Sequence, residues 1–196
     1  MLIELRSALR PALVMILLFT LLLGLAFPLA ITGIGQMILP GQAGGSLIRD
    51  KGVIIGSELI GQNFGQARYF HPRLSAAGDG YDASASAASN LAPGSKDLAD
   101  RISGDVSTLR QNGLTGDIPT DLVTTSASGL DPHISPEAAF LQVARVANAR
   151  GISAGQVKDT VTANTEYPLF GLIGEPRVNV LMLNRQLDGI AVKPAP

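Results

Sequence analysis

Cysteine and tryptophan are absent from this 196-residue chain. Without a thiol there is no disulfide framework and no thiolate metal site, so the fold must be held by its apolar core. Histidine occurs only at His71 and His133, which confines any imidazole chemistry to two positions. Positive charge is not in excess: the formal net charge is −1, and no basic stripe runs along the sequence, which argues against nucleic acid as a partner. The G-x-x-x-x-G-K-[ST] cradle for a triphosphate is missing, as are H-E-x-x-H and a Ser three residues before a Lys. Gly33-Ile34-Gly35 begins like a dinucleotide loop, but Ile38 stands where the third glycine belongs, and the pair reads as flexibility at a helix end.

One further absence is the most informative. From Pro11 to Ile48 there is no Asp, Glu, Lys or Arg. About 20 apolar helical residues cross a ~30 Å hydrocarbon core, and Pro11 to Ile31 supplies that length. Arg6 and Arg10 precede the run, whereas Arg49, Asp50 and Lys51 come well after its apolar end. The positive-inside rule therefore puts the N-terminus in the cytoplasm and the rest of the chain outside. Leu13 to Leu25 could instead form the core of a cleaved signal peptide. The apolar character continues through Ile31, Ile34, Met37, Ile38 and Leu39, and no clean Ala-x-Ala follows, so a retained anchor is the better reading. Either one exports the remainder. Pro28, with Gly24 before it and Gly33 and Gly35 after it, predicts a kinked or loosened helix near the outer end.

The expected organisation is a cytoplasmic N-terminus (1–10), a transmembrane helix with its outer end (11–38), a Gly-rich neck (39–48) and one periplasmic domain (49–196) of α+β class. About 150 residues suffice for one core. Short apolar pieces at Val53–Ile55, Leu59–Ile60 and Tyr69–Phe70, separated by glycines, suit short strands, and Tyr69 and Phe70 read as core. The small, polar run from His71 to Gly94 is either disordered or functional. Ser95 caps a helix carrying Leu98, Ile102, Val106 and Leu109 up to Gly113. The β-branched DLVTTSAS of Asp121–Ser128 reads as extended. Ser135-Pro136-Glu137 is a helix start, with Gly151 as its stop and Ala139, Val143, Val146 and Ala147 buried. Ser153 caps a further helix through Val157 and Val161, and Glu175-Pro176 starts a last one running to Gly189. Strands come early and helices late.

Asn63, Arg73, Ser89, Asn90, Ser126, Ser128 and Asp131 are short or rigid polar residues on expected loops. They suit hydrogen-bonding turns or the backbone of a partner, and for Asn90 and Asp131 the plain alternative is an Asx-turn. No catalytic set and no metal set is evident. His133 stands just before a helix cap, where a turn role is expected, and His71 precedes Pro72, which favours extended backbone. Serines near these histidines leave an exported Ser/His hydrolase as an alternative class, since a triad assembles in space.

Three unusual strings occur in order: GSLIRDKGVIIGSELIGQNF with YFHPRLSA, SNLAPGSKDL, and LVTTSASGLDPHISPEAA. With LRPAL before the span and GEPRVNVLMLNRQLD near the end, they resemble the KdpC family, the C chain of the bacterial Kdp potassium-transporting P-type ATPase. Thr165-Glu166-Tyr167 is less typical of the family. The resemblance implies an accessory subunit of an inner-membrane potassium-uptake complex. Its partners would be a KdpA-like channel subunit, a KdpB-like P-type ATPase subunit, a small KdpF-like chain and membrane lipid. ATP and potassium would be handled by the complex, with no cofactor bound by this chain; a catalytic chaperone raising the ATPase subunit's affinity for ATP is the alternative. Asp50-Lys51-Gly52 resembles the start of the P-type Asp-Lys-Thr-Gly-Thr loop, but the threonines are absent, so this chain is not the phosphorylated subunit.

Overall fold

The computed structural model describes residues 2–168 and 171–190, with side chains from Ser7 onward. Contacts divide the chain into two units, 1–47 and 48–196. The first unit is helical. Leu2–Leu21 (α1) passes through a π-helical turn, Leu22–Ala26, into Phe27–Ile38 (α2). Together, Ser7–Ile38 is long and apolar enough to cross a membrane. The π turn has a cause in Pro28, which carries no N–H and whose ring would meet the carbonyl four residues back. The chain widens just before it, with the Phe27 N–H bonding the Leu22 carbonyl. The loosening expected around Pro28 thus takes the form of one wide turn on its N-terminal side. The stretch read as a bare neck holds a helical turn, Pro40–Ala43 (α3), and its last two residues already belong to a strand, Leu47–Asp50 (β1).

In the second unit, β1 pairs with Val53–Ser57 (β2). Lys51 (φ 47°) and Gly52 (φ 85°) both adopt left-handed backbone, the signature of a two-residue hairpin turn whose twist matches its strands. Leu59–Ile60 and Tyr69–Phe70, expected as strands, are not; the latter is held in another way. A second, antiparallel sheet has the order β3-β5-β4, from His133–Ile134 (β3), Thr165–Glu166 (β4) and Arg177–Asn179 (β5). Val178 sits opposite both Ile134 and Thr165.

Lys96–Gln111 (α4), Pro136–Arg150 (α5) and Ala154–Ala163 (α6) begin at the caps read from the sequence. Ser95, Ser135 and Ser153 accept the N–H groups of Leu98, Ala138 and Gln156, and Gly151 ends α5 at φ 66°. α5 and Val180–Asp188 (α7) pack on β5 of the three-stranded sheet, and α6 packs on both of these helices. Phe70, Val146, Val157, Val161, Val178 and Leu183 are fully buried at their centre. α4 contributes no fully buried residue.

Two expectations fail for physical reasons. Asp121–Ser128 is not extended: a 3-10 turn, Thr120–Leu122, is followed by bends. Here side chains close local turns that compete with a sheet ladder. The Thr124 hydroxyl donates to the Thr120 carbonyl, and the Ser128 hydroxyl accepts the Leu130 N–H. The last helix does not begin at Glu175-Pro176, because residues 177–179 form the central strand of the sheet. Asn179 is the cap instead, its Oδ1 accepting the Met182 N–H while its Nδ2 donates to the Glu58 carbonyl, 2.8 Å away. The sheet therefore comes late in the chain and is interleaved with helices.

Residues 67–71 run past α5 and α7 with helical side chains bonding their backbone. Asn184 accepts the Phe70 N–H at 2.8 Å and donates to the Phe70 carbonyl at 3.0 Å. Gln142 does the same for His71, at 2.8 and 3.1 Å. Arg145 donates to the carbonyls of Ala67 and Tyr69, and Arg150 to that of Arg68. Two helices thereby satisfy the polar groups of a segment that turns at residues 66–69 and joins no sheet.

Candidate functional site

The residues singled out in the sequence converge in part, at the junction between the loop after His71 and the segment leading into β3. Arg73 Nη1 lies 2.9 Å from Asp131 Oδ2, and Arg73 Nη2 lies 3.4 Å from Thr124 Oγ1. The other Asp131 oxygen accepts the His133 N–H at 3.0 Å and faces His133 Nδ1 at 3.3 Å. The first of these is the Asx-turn expected of Asp131. Burial alone would push the Asp131 carboxyl up, but the hydrogen bonds from His133 and the charge of Arg73 prevail and hold it down to about 2. It is therefore ionised throughout the physiological range.

Ser126 and Ser128 stand beside this pair. Their hydroxyls are 3.4 Å apart, and the Ser128 carbonyl accepts the Ala87 N–H and the Ser86 hydroxyl. Between them and Asp131, Gly129 adopts φ 67°, where a Cβ would lie 2.7 Å from the Ala87 carbonyl oxygen and 2.8 Å from the Ala77 nitrogen. Gly61 is equally confined: its N–H bonds the Leu130 carbonyl at 2.7 Å, and a Cβ would sit 2.8 Å from the Asp131 carbonyl oxygen. Glycine is required at both positions, one for its backbone conformation and both for close approach. The small-residue run from His71 to Gly94 is thus tied to the 126–131 segment. Within it the Tyr81 hydroxyl donates to the Arg73 carbonyl, and burial pushes the Tyr81 phenol up to about 12.

Asn63, Ser89 and Asn90 are not part of this cluster. Asn63 is exposed beside a separate cavity of about 360 Å³ that His71, Tyr81 and Gln142 also line. Asn90 is exposed with φ 53°, a conformation its short amide tolerates, and Ser89 precedes it, partly buried. The two histidines lie apart. His71 Nε2 is 3.2 Å from the Gln66 carbonyl and 3.4 Å from Arg145 Nη1; burial, then the Arg145 charge, lower its proton affinity. Neither ring has a serine hydroxyl among its hydrogen-bond partners, so the Ser/His hydrolase finds no support in the described geometry.

A cleft of about 400 Å³ opens beside the Arg73–Asp131 pair, bounded by Asp121, Ser135, Glu175 and Arg177. Two of its three carboxylates are engaged: Asp131 by Arg73 and His133, and Asp121 by the Ser135 N–H and hydroxyl. Among the described residues no three His, Asp or Glu side chains cluster as a metal site would require. What the junction does is join three loops and the sheet into one polar surface. Sequence reading missed Gln142, Arg145, Arg150 and Asn184, which hold the approach to it. The one available signal was four polar residues placed on otherwise apolar faces of α5 and α7.

The comparisons agree with the sequence strings. A family model described as KdpC: K+-transporting ATPase, c chain, matches residues 9–189. The chain is 56% identical over 183 residues to the potassium-transporting ATPase KdpC subunit of Caulobacter vibrioides strain NA1000 / CB15N, covering 93% of each chain. The subunit of the same name from Myxococcus xanthus is 54% identical over 170 residues, covering 85% of this chain and 81% of the relative. That of Bradyrhizobium diazoefficiens is 52% identical over 196 residues, covering 94% and 98%. Matches of this identity and extent, with an N-terminal helix fit to span a membrane, show that the chain belongs to the KdpC family and is a subunit of a potassium-transporting ATPase complex.

Proposed function

We propose that this chain is a non-catalytic accessory subunit that holds the channel-like and P-type ATPase subunits of a potassium-uptake complex together from the periplasmic side of the inner membrane. The observation that carries the reading is the Ser7–Ile38 helix, free of charge after Arg10, with Arg6 and Arg10 at its N-terminal end. That asymmetry favours a cytoplasmic N-terminus and an external domain. In this topology the domain acts near the ion entrance, docked on the KdpA-like subunit, while the KdpB-like subunit hydrolyses ATP on the other side; a KdpF-like chain completes the membrane part. The span also contributes to assembly, since Gly24 and Gly33 leave open space beside their backbone into which a neighbouring helix fits.

The state of the Ser-rich segment supports a role without nucleotide. A phosphate nest presents successive N–H groups to an anion, whereas here the Gly129 and Leu130 N–H groups bond Ser126 and Ser128. Topology is tested by tagging the C-terminus and applying protease to intact spheroplasts. Removal of the tag is expected. Protection in spheroplasts with cleavage after lysis would overturn the external assignment and favour the catalytic chaperone. Replacing the span by an unrelated poly-Leu anchor is expected to weaken co-purification with the channel-like subunit; undiminished recovery would assign assembly to the domain alone.

A further inference from the structure

The β1–β2 hairpin carries a row of aliphatic side chains that the described fold leaves uncovered. Val53 is 67% exposed, Ile54 49%, Ile55 38% and the nearby Leu59 58%. Successive strand residues point to opposite sides, so this two-stranded ribbon is apolar on both faces at once. It is held at its base, where Ile48 is buried and a Cβ on Gly56 would stand 3.1 Å from Leu181, and along one side, where Gln62 bonds the Ile55 carbonyl and Asp50 and Ile55 line a cleft with Leu181 and Met182. An apolar ribbon with free edges is a poor element to leave in water.

We propose that this hairpin sits in the headgroup and upper acyl region of the bilayer that the N-terminal helix crosses, as a second, peripheral contact with lipid. The inference rests on the anchoring reading given above. Three observations favour lipid over a protein surface. A flat protein partner covers one face of a ribbon, whereas a lipid interface solvates both. The connector is short: from Ile38 to Leu47, with Pro40–Ala43 helical, the chain reaches at most about 25 Å. The hairpin turn and its flank carry exposed Arg49, Asp50 and Lys51, a net positive set in which the long stems of Arg49 and Lys51 can lie along apolar surface while their charges meet lipid phosphates. The unpaired strand edges set the depth, because their backbone groups need water and exclude the hydrocarbon centre.

The absence of cysteine makes single-site labelling direct. The full-length chain is reconstituted in vesicles of phosphatidylethanolamine and phosphatidylglycerol containing acyl chains brominated at a shallow or a deep carbon. A bimane label is placed by Val53→Cys, Ile54→Cys, Leu18→Cys or Ser103→Cys, all at exposed positions. Shallow bromine is expected to quench labels 53 and 54 several-fold more than deep bromine does, deep bromine to quench label 18, and neither to quench label 103. Quenching at 18 without quenching at 53 and 54 would overturn the hairpin contact and leave the anchor standing. No quenching at 18 would remove the anchor itself and the inference with it. In the assembled ATPase, labels 53 and 54 are expected to remain quenched by lipid; shielding from both brominated lipid and aqueous iodide would assign the ribbon to a protein subunit and overturn the proposal. Val53→Asp combined with Ile54→Asp is expected to reduce shallow quenching of a label at Leu59→Cys.

Discussion

Asn184 is 1% exposed and bonds both backbone groups of Phe70, which is itself fully buried. Asn184→Ala leaves a buried donor and a buried acceptor without partners, each costing about 1–3 kcal/mol. The expected loss is therefore about 2–6 kcal/mol, a large share of the ~5–15 kcal/mol by which a domain is stable. Asn184→Leu separates hydrogen bonding from packing. It keeps the same branched heavy-atom shape with somewhat bulkier ends, so if Asn184 merely occupied space, Leu would recover most of the stability lost in Ala; if the amide is what matters, Leu behaves like Ala. Gln142→Ala is expected to cost less, about 1–2 kcal/mol, because His71 is only partly buried and water can reach its backbone. The two sites share one segment, so their effects should not add. Denaturant unfolding of the full-length chain in detergent gives the energies, and hydrogen exchange read at 67–72 locates them, with the Phe70 amide losing protection first. A stability for Asn184→Leu within about 0.5 kcal/mol of the parent, or an unchanged Phe70 amide in Asn184→Ala, would refute the reasoning.

Gly129→Ala places a methyl group against backbone that cannot retreat, at a left-handed φ; it should cost more than about 2 kcal/mol, whereas Gly113→Ala, left-handed but in open space, should cost only about 1, both by denaturant titration. The Asp131 carboxyl is held down to about 2 against about 3.9 when unfolded, so its contribution of about 2–3 kcal/mol is present above pH 4 and lost as pH falls from about 4 through 2. Asp131→Asn should flatten that part of the stability profile. His71 has a lowered proton affinity in the fold, so the unfolded chain takes up its proton first as pH falls below 6.5, and stability declines there; His71→Gln should remove that slope. Ser126→Ala with Ser128→Ala should leave the ATP affinity of the assembled pump unchanged, and a weakening with assembly intact would favour the chaperone role.

Local chemistry made much of the helical framework readable. Ser95, Ser135 and Ser153 each precede a helix whose first turn they cap, and Gly151 follows the last periodic residue of α5, so the signal and the structure lie within a few residues of each other. The sheet was not readable in the same way. Its strands are two or three residues long, too short to show a period of two, and β5 was masked by Glu175-Pro176 in front of it. Asp121–Ser128 misled because Thr and Val favour strands while Thr and Ser hydroxyls also close turns, and the second effect prevailed. At the candidate site, the turn at Asp131 was local and legible. Its pairing with Arg73, 58 residues away, was not, and neither were the amides of Gln142 and Asn184, which meet their partners across 71 and 114 residues.

The way residues 67–71 are held divides shape from content. Because Gln142, Arg145, Arg150 and Asn184 grip main-chain atoms, much of the path of the segment is encoded in α5 and α7; of its own side chains, Phe70 is buried and Arg68 and Tyr69 reach Asp188 at the end of α7. The Ala67 side chain is exposed and can be exchanged without moving the chain that carries it. The segment is in effect a mount with a replaceable face, on which a surface can be recut to match a changing neighbour while the helices beneath stay as they are. The converse also holds: a single change in one of the four gripping side chains reshapes that surface from below, without altering any residue displayed on it.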